Sequence, residues 1–120
     1  MKKILAIDDD WVFVNSLKNI LEMKDFKVDV MSNPFNVEEY LSKQKADCIL
    51  LDFKMFGLNG LELIRQIRKI NADVPIIMIS AVEIKHINPN PLEIGANLYI
   101  EKPFDIEELV AGINSLINSN

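Results

Sequence analysis

Residues 46–60 read ADCILLDFKMFGLNG: four apolar residues in succession, Cys48-Ile49-Leu50-Leu51, then a single acid, Asp52, then a turn-like segment closing on Asn59-Gly60. An apolar run of this length without alternation predicts a strand buried on both faces, the middle of a parallel sheet covered by helices. A carboxylate at the carboxyl end of such a strand stands where open α/β sheets form their ligand crevice. Asp52 alone decides nothing, because acids commonly end strands as turn residues. Its weight comes from the other strand ends.

On either side of this stretch, strands and helices alternate. Residues 4–7 (ILAI) form a first buried strand that runs into Asp8-Asp9-Asp10. Phe13, Leu17, Ile20 and Leu21 recur at helical spacing and predict a helix continuing to Lys24. Lys27–Met31 alternates Val28 and Val30 with polar residues, as a strand nearer the sheet edge does. Asn33-Pro34 opens a second helix with Val37, Tyr40 and Leu41 inward. After the central strand, a third helix places Leu63, Ile64, Ile67 and Ile70 inside, with Arg65, Arg68 and Lys69 outside. Residues 76–79, opened by Pro75 and ended by Ser80-Ala81, are the fourth strand. Leu98-Tyr99-Ile100 is the fifth, leading to Glu101-Lys102-Pro103-Phe104. The last helix repeats Ile106, Leu109, Val110, Ile113, Leu116 and Ile117, with Asp105 or a neighbour as its cap. Five βα units with right-handed crossovers predict a three-layer, doubly wound α/β domain over residues 1–120.

One segment breaks the pattern. A fourth helix belongs in 82–94, yet Asn88-Pro89-Asn90-Pro91 interrupts it. Interior prolines cost about 3 kcal/mol each in a helix and disfavour helical geometry in the residue before them. The expectation is a loop or single turn over 84–90 and a brief helix from Pro91 that ends before Gly95. His86, the sole histidine, lies there without a cysteine or histidine neighbour and reads as a solvent-exposed loop residue.

Composition excludes several classes. The 120 residues are 49% hydrophobic, enough for one real core, and carry a net charge of −5 with no Lys/Arg cluster, which argues against a nucleic-acid surface. A single cysteine inside the central strand excludes an internal disulfide and suits a reducing compartment. Met1-Lys2-Lys3 begins like a signal peptide, but the apolar run behind it is too short. No apolar run approaches membrane-spanning length. A soluble, cytoplasmic protein with no membrane partner is expected.

In a parallel sheet the ends of strands one, three, four and five share one edge, so Asp8-Asp9, Asp52, Ser80 and Lys102 converge. Three carboxylates in one crevice need compensation, because like charges raise their pKa values and destabilise the fold. A hard divalent cation supplies it: Mg²⁺ takes a few carboxylate or carbonyl oxygens, keeps several waters and accepts a phosphate oxygen. Lys102 adds a point charge for a phosphoryl group, and Ser80 a short hydroxyl. The set describes phosphoryl chemistry on a carboxylate.

The stretches ILAIDDD, CILLDFKMFG, IIMISA and LYIEKPF make the chain resemble, along its whole length, the receiver domains of two-component response regulators. The resemblance implies a flavodoxin-like sheet in the order 2-1-3-4-5. It implies that Asp52 is the phospho-acceptor and that Mg²⁺ is held by Asp9 and Asp52, with the backbone carbonyl of Lys54 and with Asp8 acting largely through water. Lys102 would pair with the phosphoryl oxygens, Ser80 and Tyr99 would switch on phosphorylation, and Lys102-Pro103 would be a cis peptide. The implied partners are a sensor histidine kinase or phosphotransfer protein, with an output partner or attached output domain that the sequence does not name. Such a domain is not a turnover enzyme; it catalyses its own phosphorylation and dephosphorylation only.

Three positions depart from the family's usual pattern. Phe56 stands where a proline usually precedes Gly57, Trp11 where many receivers have proline, and Lys54 at the mouth of the site. Trp11 reads as helix-start packing, with a surface aromatic that contacts a partner as the alternative, and Lys54 as a solvated loop residue, with an effect on phosphoryl lifetime as the alternative. Two rival functions follow from the same residues. Asp8-Asp9-Asp10-Trp11-Val12 fits the D-x-D-x-[TV] motif of haloacid dehalogenase-type phosphatases, but that reading leaves Asp52 idle and 120 residues give little room for a cap domain. A pseudo-receiver that binds partners without phosphorylation is the other, weakened by the presence of every phosphorylation residue.

Overall fold

Each central strand sends alternate side chains to opposite faces, and both faces are apolar, so the sheet has two cores. The computed structural model of the protein describes residues 1–55 and 58–118. In β1 (Lys3–Ile7), Ile4 and Ala6 face one layer, Leu5 and Ile7 the other. The pattern recurs in β3 (Cys48–Leu51) and β4 (Ile76–Ser80), where Leu50 and Ile77 oppose Ile49 and Met78. Helices α1 (Trp11–Glu22) and α5 (Ile106–Ile117) cover the first face through Val14, Leu17, Leu21, Leu109 and Ile113. Helices α2 (Val37–Lys43) and α3 (Gly60–Ile70) cover the second through Val37, Leu63, Ile64 and Ile67. Edge strands β2 (Lys27–Met31) and β5 (Leu98–Glu101) complete a parallel sheet in the order β2-β1-β3-β4-β5. This is the doubly wound order expected from the resemblance. Behind β3, Lys54–Met55 pairs antiparallel with Leu58–Asn59 in a short ribbon. The departure at Phe56 lies, with Gly57, outside the described residues.

Side-chain caps begin most helices. Asp10 accepts from the Phe13 amide and Asn59 from that of Glu62. Asn33 accepts from the Phe35 amide, opening the 3₁₀ turn Pro34–Asn36 that leads into α2. Asp105 stands at the start of α5, but its side chain makes no capping bond. The proline-broken segment follows the expectation: a 3₁₀ turn over Ile84–His86, then α4 (Pro91–Ile94) with Asn90 accepting from the Leu92 amide. His86 is exposed.

One boundary and three side chains differ from the sequence reading. Helix α1 stops at Glu22, because the chain reverses at Asp25 with φ 70° and the Phe26 amide donates to the Leu21 carbonyl. Ile20 and Ile70 are about 40% exposed rather than buried. Arg68, expected outside, turns back under the helix. Its guanidinium donates to the carbonyls of Asn71, Val74 and Gly95 and to Asn97 Oδ1, at 2.7–3.2 Å. A four-residue α4 has few hydrogen bonds of its own, so this planar fork of five donors fastens its end to α3.

At the amino end of the sheet, Asp29 accepts from the Tyr40 hydroxyl at 2.7 Å and pairs with the Lys3 ammonium at 3.1 Å. Burial alone would raise this carboxyl; Tyr40 and Lys3 outweigh it and hold it below its ordinary value. A carboxyl depressed in the folded state stabilises the protein above its unfolded pKa, and that contribution fades as pH falls through the lower folded value. Tyr40→Phe should therefore cost about 1 kcal/mol near neutral pH, discounted for partial exposure. The difference in melting temperature from the parent should narrow below about pH 4. A difference independent of pH would mean that the hydroxyl acts through packing rather than through Asp29.

Candidate functional site

Register builds the site. Ile7 pairs with Leu51 across β1 and β3, so the next residues, Asp8 and Asp52, leave the sheet side by side. Lys102 follows β5, with its amide donating to the Ser80 carbonyl at 2.9 Å. By strand alternation Asp8 continues the Ala6 row, Asp52 the Leu50 row and Lys102 the Ile100 row, all on the α1/α5 face. The three side chains meet there: Lys102 Nζ lies 3.5 Å from Asp8 Oδ2 and 3.7 Å from Asp52 Oδ2. Both separations exceed the roughly 2.7–3.2 Å of an ordinary N–H···O bond. The ammonium also stands over the Phe13 ring, 4.0 Å from its centre. Lys102-Pro103 is a cis peptide.

The two acids are held differently. Asp8 is buried, and Asp8 Oδ1 accepts from the Asp10 amide at 2.9 Å. Burial pushes its carboxyl up; the Asp10 amide and the Lys102 ammonium pull it back, while the neighbouring Asp52 charge adds to the push. Asp52 is half-buried, and its Oδ1 accepts from the Phe53 amide at 2.7 Å. Asp9 and Lys54 have exposed side chains. Trp11, 54% exposed, is a surface aromatic rather than helix-start packing.

Ser80 and Tyr99 belong to the other side of the sheet end. Ser80 is buried, and its Oγ accepts from the Val82 amide at 3.2 Å. The Tyr99 hydroxyl donates to the Val82 carbonyl. Both expected switch residues thus hold one residue of the segment leading to α4. Burial raises the Tyr99 hydroxyl above its ordinary value.

The donor set suits magnesium. Asp8 and Asp52 share the Lys102 ammonium, which among the described residues leaves an excess of negative charge on hard oxygen donors at a partly open strand edge. Among the described residues no group of three His, Cys, Asp or Glu side chains is placed to hold a metal ion. A metal that binds through one or two carboxylates and keeps its waters fits this arrangement better than one needing an all-protein shell. Asp10 points elsewhere: it is exposed and caps α1. The acid pair of a phosphatase D-x-D motif is therefore not assembled, since its second member is spent on the helix start.

Sequence reasoning gave Phe13 to the core and overlooked two residues that shape the site. The Phe13 signal was its place in the first turn of α1, on the face toward the acids. Asp10, as a cap, ties that turn to Asp8. Gly60 approaches the backbone of Asp52, a contact with no signature in composition or periodicity.

Comparison with known proteins agrees with this fold. Residues 4–114 match the family model described as the response regulator receiver domain. The "Response regulator MprA" of Mycobacterium leprae is 34% identical over 115 residues, 96% of this chain and 50% of that protein. The chain thus spans about half the length of such curated relatives. Among solved structures, a CheY-like receiver domain protein from Methanospirillum hungatei superposes with a TM-score of 0.91 at 25% identity, covering 98% of this chain and 94% of the other. The receiver domain of sensor histidine kinase PA1611 from Pseudomonas aeruginosa, with magnesium coordinated in its active-site cleft, superposes at 0.89 with 28% identity, covering 98% of each chain.

Proposed function

The chain belongs to the response regulator receiver domain family of two-component signalling, and from that premise we propose that Asp52 is its phospho-acceptor. The observation that carries the proposal is the placing of Asp52, at the end of the central strand, against the same ammonium as Asp8. In the transfer, an Asp52 carboxylate oxygen attacks phosphorus in line as the bond to the leaving group breaks, giving an acyl phosphate. When the donor is a phosphohistidine of a sensor kinase or phosphotransfer protein, the P–N bond breaks and the imidazole nitrogen takes its proton from solvent. Lys102 meets the charge on the phosphoryl oxygens, so catalysis is positioning plus electrostatics. Asp8, Asp9 and Asp52, with the backbone carbonyl of Lys54, are the groups to hold Mg²⁺, which when bound neutralises charge on the same oxygens.

The reading extends to the switch. Ser80 would turn from accepting the Val82 amide to donating its hydroxyl to a phosphoryl oxygen, and Tyr99 would follow through its own bond to Val82. A covalent phosphoryl group biases the domain only by interacting better with one arrangement than the other. Its competing partner in the resting arrangement is Val82.

A small acyl or amidophosphate donor tests the chemistry. One phosphoryl group per chain should be taken up in the presence of Mg²⁺ and little without it, followed by slow hydrolysis. Rapid turnover of a phosphate monoester without labelling would favour a phosphatase, and no labelling at all would favour a binding module.

A further inference from the structure

We infer that Phe13 is the positioning residue for Lys102, its ring holding the ammonium off Asp52 so that the carboxylate stays open to phosphorus. The inference deepens the reading of Asp52 as acceptor and rests on it. Lys102 Nζ has three neighbours at similar range: Asp8 at 3.5 Å, Asp52 at 3.7 Å and the Phe13 ring centre at 4.0 Å. An ammonium this close to two carboxylates would normally close one pair to hydrogen-bond length. Here both ion pairs stay long: the one to Asp8 sits at the outer limit of a hydrogen bond and the one to Asp52 beyond it. The aromatic face attracts the cation from the α1 side, well within the ~6 Å over which such attraction acts, and the site's partial burial strengthens it.

The ring is itself held in place. Asp8 Oδ1 accepts from the Asp10 amide, Asp10 Oδ1 accepts from the Phe13 amide, and the Phe13 ring faces the lysine that faces Asp8 Oδ2. This circuit links an acid, a helix cap, an aromatic ring and a lysine, and fixes the ammonium relative to Asp52. Leucine at position 13 would retain the apolar packing with Val14 and Leu17 but not the electron-rich face. The ammonium could then close onto Asp52, leaving a neutralised nucleophile and a weaker site for a divalent cation.

The test compares the parent with Phe13→Leu and Phe13→Tyr, the second keeping a ring. In metal-free protein, the Lys102 ε-methylene signal in carbon–proton NMR should lie upfield through the ring current. It should keep that position in Phe13→Tyr and lose it in Phe13→Leu. Labelling by a small phosphoryl donor at saturating Mg²⁺ should slow about three- to tenfold in Phe13→Leu and recover in Phe13→Tyr. Mg²⁺ titrations followed by the fluorescence of Trp11 should show weaker binding in Phe13→Leu alone. An unshifted Lys102 signal in the parent, or equal rates in parent and Phe13→Leu, overturns the inference. Should Phe13→Leu fail to fold, equal Lys102 shifts in Phe13→Tyr and a ring-free Phe13→Met protein would overturn it too. Labelling that persists in Asp52→Asn would instead remove the acceptor assignment and leave the NMR result standing.

Discussion

Asp52→Asn should take up no phosphoryl group from a small donor under conditions that label the parent fully, and it should do so as a folded protein. The two side chains are nearly isosteric, and the Phe53 amide that donates to Asp52 Oδ1 finds an equivalent oxygen in asparagine. What changes is charge. The amide is a poor nucleophile, and Lys102 keeps only Asp8 as an anionic partner. The same change removes one of two like charges crowded at the strand ends, so the metal-free variant should melt no lower than the parent. Under the proposed function, Mg²⁺ should stabilise the folded state by mass action, and its effect on melting temperature should shrink in the variant as an oxygen donor is lost. Labelling of Asp52→Asn at the parent's rate would remove Asp52 from the acceptor role. An undiminished magnesium effect would take it out of the metal site as well.

Much of this arrangement is legible from the chain because parallel sheets are repetitive. Unbroken runs such as Cys48-Ile49-Leu50-Leu51 and residues 76–79 reveal strands buried on both faces. Once those are parallel, Asp8, Asp52, Ser80 and Lys102 have to share an edge. Prolines 89 and 91 are equally plain, because a missing amide and a fixed φ leave the backbone few choices. Harder to read is which way a long polar side chain turns. Arg68 sits at a helix position that periodicity assigns to solvent, yet carbonyls near Gly95 draw it under. Only the tertiary structure places those carbonyls there. The division of the site is hidden for a related reason: strand alternation puts Asp8, Asp52 and Lys102 on the α1 side and the Ser80–Tyr99 pair around Val82. Periodicity marks Phe13 as apolar and inward, but its cation is eighty-nine residues away in sequence.

Gly60→Ala should destabilise the protein by about 1–3 kcal/mol, against the roughly 1 kcal/mol that alanine ordinarily gains over glycine in a helix. Gly60 is the first residue of α3, and its amide donates to the Phe53 carbonyl at 2.6 Å. A Cβ there would stand 2.5 Å from the Asp52 carbonyl oxygen, 2.9 Å from Phe53 Cα and 2.7 Å from Met78 Cε. The methionine end can swing away, but the first two contacts are backbone. Relief therefore requires moving the segment that carries Asp52, and labelling of the folded variant should slow along with the loss of stability. Gly112 provides the control. In the middle of α5, its Cβ would meet the Leu98 Cδ2 atom at 2.7 Å, with the next contact, Ile100 Cδ1, at an ordinary 3.9 Å, so only a flexible side chain has to yield. Gly112→Ala should come close to the parent in both melting temperature and labelling rate. If Gly60→Ala matches Gly112→Ala in both, the close approach of α3 to the segment that follows β3 does not hold Asp52 in place.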